Sequence, residues 1–400
     1  MKILILQDDF PPQTFGGAGF STFSLAKGLH KAGHQVSVIT ACQKKADEGE
    51  TNYQGLMVFR VFTNYHERWR AYFSLYNPQT VKKVKEIIGK INPDVIHANN
   101  IHCHLSYHCL KIAKQYSKAV VLTARDVMLF NDGKLATKKY LEHFNYRANW
   151  WDHLKQNRKR YNPFRNFLIK RYLKYVDKVF AVSNALKTAL GQNGIKNVEV
   201  SYTGIDVGDW QVGSEKIEEF KQKHNLYGKK VIFFGGRISG LKGMAQIGQA
   251  VDRIKKELPQ TVLLTAGSKS LPAGGQGAGW LSGDELKAAF ACADVVVVPS
   301  VCFDSFPRSN LEAMAAQKPV VATCYGGSPE IVKDGVTGYI VNPLKVDELT
   351  NKLLDLLKNP EKAKQFGQAG YERVKKHFNL DSQVAQTISW YQKILNKKII

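Results

Sequence analysis

Residues 230–243, KVIFFGGRISGLKG, decide the fold. The run after Lys230 is β-branched or aromatic, as expected of a buried strand. The glycines that follow break the chain before a helical pattern over 244–258. Strand, glycine-containing turn and helix in that order open a βαβ unit. The pattern continues C-terminally, with strands expected over 261–266, 294–299, 319–323 and 338–341 and a helix over 284–292. It also occupies the chain before residue 230. There 2–6 reads as a strand, Pro11-Pro12 and Gly16-Gly17 as a loop, and 20–31 as a helix, with further strands over 35–40, 94–98, 119–123 and 178–182. Such alternation predicts an α/β protein with doubly wound parallel sheets, and its restart predicts two of them. Strand-like 198–201 gives way to the polar connection Thr203-Gly204-Ile205-Asp206. The expected organisation is therefore an N-terminal domain over 1–205, a second over 206–380, and a final helical segment over 381–400. Ligands of open α/β sheets bind beyond the carboxyl ends of the strands, so tandem domains predict a cleft between them.

Composition narrows the class. Of 400 residues, 44% are hydrophobic and 23% charged, which excludes a disordered chain, a collagen and a small disulfide scaffold. No apolar run approaches the roughly 18 residues that span a bilayer. The apolar start stops at Gln7-Asp8-Asp9, too early for a signal peptide. Six cysteines without framework spacing suit a reducing compartment, so a cytoplasmic location is expected. Lysines and arginines number 57 against 34 acidic residues, a net charge of +23. The excess is concentrated early: residues 1–205 carry 31 basic and 14 acidic side chains, and 206–400 carry 26 and 20. Residues 134–178 alone hold 13 basic side chains and three acidic ones, interleaved with Tyr140, Phe144, Trp150, Trp151, Phe164 and Phe167. A segment of this kind suits nucleic acid, an anionic membrane face or a phosphorylated acceptor, and equally a solvated basic surface.

Three groups of residues point to anion chemistry. Gly16 and Gly17 lie between the first strand and the first helix, where backbone N–H groups and the helix dipole can face a phosphate. The G-x-G-x-x-G spacing and the acidic residue of a dinucleotide site are missing, which argues against a nicotinamide dehydrogenase. Arg237 and Lys242 sit in the loop after strand 230–234, where a guanidinium and an ammonium can together neutralise a diphosphate without a metal. The loop lacks the P-loop spacing. Finally, Asp304 and Glu312 bracket a loop that carries Ser309 and Asn310 into a helix expected near Leu311. A carboxylate there can accept two hydrogen bonds from a ribose diol, and helix N–H groups can hold phosphate. His104 and His108 have the i, i+4 spacing of a helical zinc pair, but HExxH and CxxC are both absent, so no metal site is expected.

With these residues in view, the sequence resembles the retaining glycosyltransferases of family four (glycosyl transferases group 1). The resemblance runs nearly end to end, through Gly16-Gly17, DVIHANN at 94–100, AVSNALK at 181–187, TGID at 203–206, GGRISGLKG at 235–243, the acid-x7-acid pair Asp304 and Glu312, and GGSPEIVKDGVTG at 326–338. It implies the GT-B fold, two facing Rossmann-like domains around a central cleft, with the last helix crossing back onto the first domain. It further implies transfer of a sugar from a nucleotide diphosphate sugar to a glycan or lipid-linked acceptor with retention at the anomeric carbon. On the same resemblance attack would come from the front face, the leaving phosphate would take the acceptor's proton, and no cofactor would be required. Arg237 and Lys242 would grip the diphosphate, Glu312 the ribose and Asp304 the sugar. Gly17 would lie near the phosphates and Trp280 near the base, after a shortened loop over 268–279.

The chain departs from the family pattern at several points. Asp304 replaces the usual glutamate and is one methylene shorter. Asn99 stands where a histidine is common; it can hydrogen-bond but cannot carry a proton. Arg125 precedes Asp126 where a histidine is common, and His102 is placed to occupy part of the vacated space. His97, Asn99, His102, Arg125 and Asp126 are thus the acceptor-side candidates. The setting expected for such an enzyme is cell-surface polysaccharide or glycolipid assembly, with the basic segment, including Lys155, Arg158, Lys159, Arg160, Lys170 and Arg171, docking at the inner face of the membrane. The rival readings are a basic nucleic-acid-binding protein, for which no recognition module is present, and a sugar-nucleotide-binding protein without catalysis.

Overall fold

The computed structural model describes residues 1–14, 16–235, 240–267 and 275–397, without the side chain of Lys159. Arg237 and most of the 268–279 loop lie outside the described residues. The chain divides into two compact units. The first comprises Met1–Thr137, Asn145–Gly204 and Leu380–Ile400, and the second Lys138–Phe144 and Ile205–Asn379. Residues 138–144, read from the sequence as part of the N-terminal domain, thus belong to the second unit.

The first unit is built on β1 (Lys2–Leu6), β2 (Gln35–Cys42), β3 (Gly49–Tyr53), β4 (Leu56–Phe62), β5 (Val95–Ala98), β6 (Ala119–Ala124), β7 (Lys178–Ala181) and β8 (Val198–Val200). Their order is β3-β4-β2-β1-β5-β6-β7-β8. Every neighbouring pair is parallel except the β3–β4 hairpin. That hairpin was not foreseen. Its turn residues Gln54 and Gly55 have φ of 50° and 87°, the left-handed conformations of a two-residue hairpin turn, but glutamine there is a weak signal and β3 is polar and largely solvent-facing. The helix Gly17–Lys31 and the C-terminal helix Leu380–Asn396 pack on the same side of the core, with Leu25, Ala26, Leu29, Val384, Tyr391 and Ile394 buried together.

The second unit carries β9 (Lys230–Gly235), β10 (Thr261–Ala266), β11 (Gln276–Gly277), β12 (Val295–Val298), β13 (Val320–Thr323) and β14 (Gly338–Val341) in the order β11-β10-β9-β12-β13-β14, parallel throughout. Its central strands are covered on both faces, which is why VVVV of β12 is buried at all four positions. Both sheets reverse their strand order at the first strand, β1 between β2 and β5 and β9 between β10 and β12. The loops leaving β1 and β5, and those leaving β9 and β12, are therefore brought together at the two switch points.

His97 on β5 is part of the first unit's interior. Its Nδ1 lies 2.6 Å from the Tyr391 hydroxyl and its Nε2 2.7 Å from Thr123 Oγ1. Burial, with Arg125 nearby, pushes its pKa down to about 3. The unfolded chain takes up this proton as pH falls below about 6.5, whereas the folded chain does so only near 3. Stability contributed by the neutral ring is present above about pH 6.5 and lost as pH falls toward 3, by at most about 1.4 kcal/mol per pH unit. Urea unfolding at pH 7.0 and 5.5 is expected to show wild type losing about 1 kcal/mol more over that interval than His97→Gln.

Candidate functional site

At the second unit's switch point the loop after β9 ends in the turn Gly240–Lys242 and the helix Met244–Glu257. Gly243, between them, has a φ of 82°, and a Cβ there would sit 1.9 Å from the Pro299 carbonyl oxygen. Only glycine lets the β9 loop close on the end of β12 in this way. Val301 N–H donates to the Leu241 carbonyl across the same contact (3.0 Å). This closure delivers the Lys242 ammonium to Asp304, with which it forms an ion pair and a hydrogen bond. Ser300 Oγ donates to the same carboxylate oxygen at 3.0 Å. Both members of the pair are partly shielded from solvent.

The helix after β12 begins at Arg308, three residues earlier than the sequence suggested, so Ser309 and Asn310 lie in its first turn rather than in a loop. Ser309 Oγ donates to the Gly235 carbonyl at 2.8 Å, which ties the helix start to the end of β9. Asn310 is fully buried and donates to Ser328 Oγ at 3.1 Å. Glu312 is in the second turn. Its carboxylate accepts from Arg308 Nε at 2.7 Å, and burial raises its pKa despite that guanidinium. The bond to Arg308 uses one acceptor position, and a carboxylate has further lone pairs for a diol. Trp280, just past β11, is half exposed. Lys242, Asp304, Ser309, Asn310 and Glu312 are thus carried by connected loops and one helix start.

At the first unit's switch point Gly16 caps the helix Gly17–Lys31 in extended conformation. Thr14 Oγ1 donates to Asp9 at 2.7 Å, and a Cβ on Gly19 would meet that hydroxyl at 2.2 Å, so the loop closes tightly over the helix start. Asp8 organises the loop after β5. Its buried carboxylate accepts from the backbone N–H groups of Cys103 (2.6 Å), His104 (2.9 Å) and Leu105 (2.8 Å). Sequence reasoning missed this role, because an aspartate after a strand carries no local sign of partners 95 residues away.

The five acceptor-side residues separate into three arrangements. Asn99 and Arg125 come together, Arg125 Nε donating to Asn99 Oδ1 at 3.2 Å and Nη1 to Thr203 Oγ1 at 3.3 Å. The Asn99 amide nitrogen is buried without a hydrogen-bond partner among the described residues. His102 Nε2 lies 3.5 Å from Asp126 Oδ2, an imidazole–carboxylate pair at the ends of β5 and β6. His97 belongs to neither: it is buried and both ring nitrogens are occupied within the core, so it is a framework residue and not an acceptor-facing one. His104 and His108 do not share a helical face, because the helix begins only at His108. Among the described residues no group of His, Cys, Asp and Glu is arranged to hold a metal.

Replacing Gly243 by alanine is expected to destabilise the protein by about 1–3 kcal/mol or more through strain at this contact. Gly248→Ala, in open space within the helix Met244–Glu257, is expected to stabilise by about 0.5–1 kcal/mol. Chemical denaturation of the two variants checks both signs.

Comparison with known proteins gives these arrangements a family. The Glycosyltransferase Family 4 model matches residues 15–209 and the Glycosyl transferases group 1 model residues 216–373. An uncharacterized glycosyltransferase of Methanocaldococcus jannaschii is 27% identical over 369 residues, 87% of each chain. Alpha-maltose-1-phosphate synthase of Mycolicibacterium smegmatis is 23% identical, over 98% of this chain and 100% of its own. Among solved structures, sucrose-phosphate synthase from Thermosynechococcus elongatus matches with a TM-score of 0.80 at 20% identity, covering 99% of both chains. Anabaena HepE in complex with UDP-glucose matches with a TM-score of 0.68 at 20% identity, over 97% and 99%. The two parallel-sheet units are those of the GT-B fold, and the chain belongs to the group 1 glycosyltransferases of family four.

Proposed function

We propose that this glycosyltransferase takes a hexosyl group from a nucleoside diphosphate sugar and passes it, with retention and without a metal, to a glycan or lipid-linked acceptor. The observation that carries the reading is the convergence of Lys242, Asp304 and Ser300 at the carboxyl ends of β9 and β12, beside the helix start that holds Ser309 and Glu312. In the proposed reaction the bond from the anomeric carbon to the β-phosphate oxygen breaks, and the acceptor oxygen bonds to that carbon on the same face. The acceptor's proton passes to the departing phosphate. Lys242, with Arg237 of the same loop, stabilises the charge on the diphosphate; Glu312 accepts from the ribose hydroxyls and Asp304 from the sugar. Gly16 and Gly17 present backbone N–H groups, and the His102–Asp126 and Asn99–Arg125 pairs serve the acceptor.

For the acceptor's setting we propose an anionic membrane face, in keeping with polysaccharide or glycolipid assembly. No described helix is long and apolar enough to cross a membrane. The first unit instead exposes Trp150 and Trp151, stacked at 4.0 Å, together with Phe164 and Phe167. Phe164, Phe167 and Arg171 follow a helical i, i+3, i+7 spacing, and Lys155, Arg158, Arg160, Lys170 and Lys174 are also exposed. Flotation with vesicles containing phosphatidylglycerol is expected to recover the protein at low salt. Neutral vesicles, or the double change Trp151→Ser and Phe167→Ser, are expected to abolish recovery.

The donor reading is tested by thermal shift with UDP, GDP, ADP and their glucose and mannose conjugates in EDTA. One base family is expected to raise the midpoint by roughly 2–4 °C at about 100 times its dissociation constant, and Lys242→Ala to lose the shift. With the donor so named, Lys242→Ala is expected to lower kcat by about 100-fold or more, and NMR of the product to show the donor's anomeric configuration. No shift with any nucleotide from folded protein would turn attention to nucleic-acid binding.

A further inference from the structure

From these contacts we infer that Tyr140 is a positioning residue for Asp304, supplied to the second unit by the 138–144 strap. The inference rests on the proposed role of Asp304 at the transferred sugar. Tyr140 is fully buried, although it sits in a segment rich in exposed basic residues. Its ring packs edge-on against Phe303 (5.7 Å, 62°) and at 5.7 Å from Tyr325, the residues that immediately precede Asp304 and Gly326. Its hydroxyl oxygen accepts the Gly326 N–H at 2.8 Å. The strap is stitched a second time where the Tyr325 hydroxyl lies 3.1 Å from the Leu141 carbonyl, and Phe144 covers the Tyr325 ring at 5.9 Å.

The turn that Tyr140 holds is in direct backbone contact with Asp304. Gly326 has a φ of 78°, and a Cβ on it would lie 2.0 Å from the Asp304 carbonyl oxygen. Gly327 N–H donates to that same oxygen at 2.8 Å. A shift of the 325–327 turn therefore moves the Asp304 backbone, and with it the carboxylate that holds Lys242 and Ser300. Removing the Tyr140 hydroxyl leaves the Gly326 N–H without this acceptor inside a packed aromatic cluster, while the ring still fills its space. The loss is local and reaches the site only through the turn.

The test is a kinetic cycle on the full chain with the nucleotide sugar found by thermal shift. Tyr140→Phe is expected to lower kcat by about tenfold, with the donor KM and the affinity for the bare nucleoside diphosphate within about twofold of wild type. In an Asp304→Asn background the same change is expected to cost less than about twofold, because the group it positions is already gone. Hydrogen exchange at Gly326 is expected to quicken while β12 and β13 amides keep their protection. Equal kcat for Tyr140→Phe and wild type overturns the inference, as does an undiminished tenfold loss in the Asp304→Asn background. A general rise in exchange across the second unit also overturns it, since it would mark a structural role only. Absence of turnover in wild type with every nucleotide sugar instead removes the donor reading, and the inference with it.

Discussion

Two backbone contacts that exclude a Cβ govern the second unit's functional edge: Gly243 against the Pro299 carbonyl and Gly326 against that of Asp304. Parallel strands end in loops that diverge unless something draws them together, and here the loops touch main chain to main chain. With any side chain at either position the loops would stand apart by the width of a methyl group or more, and Lys242 would no longer meet Asp304. The first unit meets the same need with a charged group. The Asp8 carboxylate gathers three consecutive N–H groups of the β5 loop, replacing the water those donors would otherwise require.

What could be read from the amino-acid order follows from how each element is buried. Central parallel strands are covered on both faces, so β1, β9, β12 and β13 appear as largely apolar runs that need no alignment to find. The β3–β4 hairpin escapes for the opposite reason: an edge strand of sequence GETNY is polar, and its Gln54-Gly55 turn lacks the usual asparagine or aspartate. Lys242, Asp304, Ser309 and Glu312 could be singled out as candidates because they follow strands at the switch point, and the structure carries them on neighbouring loops and one helix start. His97 was misread because residue type suggested a polar role, while one of its two ring partners, Tyr391, is 294 residues distant. Tyr140 was hidden in the same way, within a segment whose charge pointed to solvent.

The basic excess divides into charges with different work. Arg165, although inside the 134–178 segment, is buried and donates to the Met128 carbonyl at 2.7 Å, so it is framework. Lys155, Arg158, Arg160, Lys170, Arg171 and Lys174 are exposed beside uncovered aromatic rings. Their attraction to an anionic surface falls within a Debye length, whereas the aromatic contribution requires contact. A surface that combines the two holds weakly at a distance and firmly only once seated.

The Lys242–Asp304 pair also bears on how the proposed donor site tolerates being empty. A half-buried ammonium facing a half-buried carboxylate satisfies both charges without a ligand, so neither is left desolvated and alone. A diphosphate offers the ammonium a more highly charged partner and, on entering, competes with Asp304 for it. The carboxylate then gains acceptor capacity for sugar hydroxyls while Ser300 keeps it in place. Diphosphate and sugar belong to one molecule, so in the proposed reading their arrival exchanges the internal ion pair for an ammonium–diphosphate pair and, at the carboxylate, charge-assisted hydrogen bonds from sugar hydroxyls. The one-methylene shortening from glutamate to aspartate fits this exchange, since a carboxylate held by a lysine, a serine and a clamped backbone depends on its loop for reach, and the loop is held by Gly326 and Tyr140.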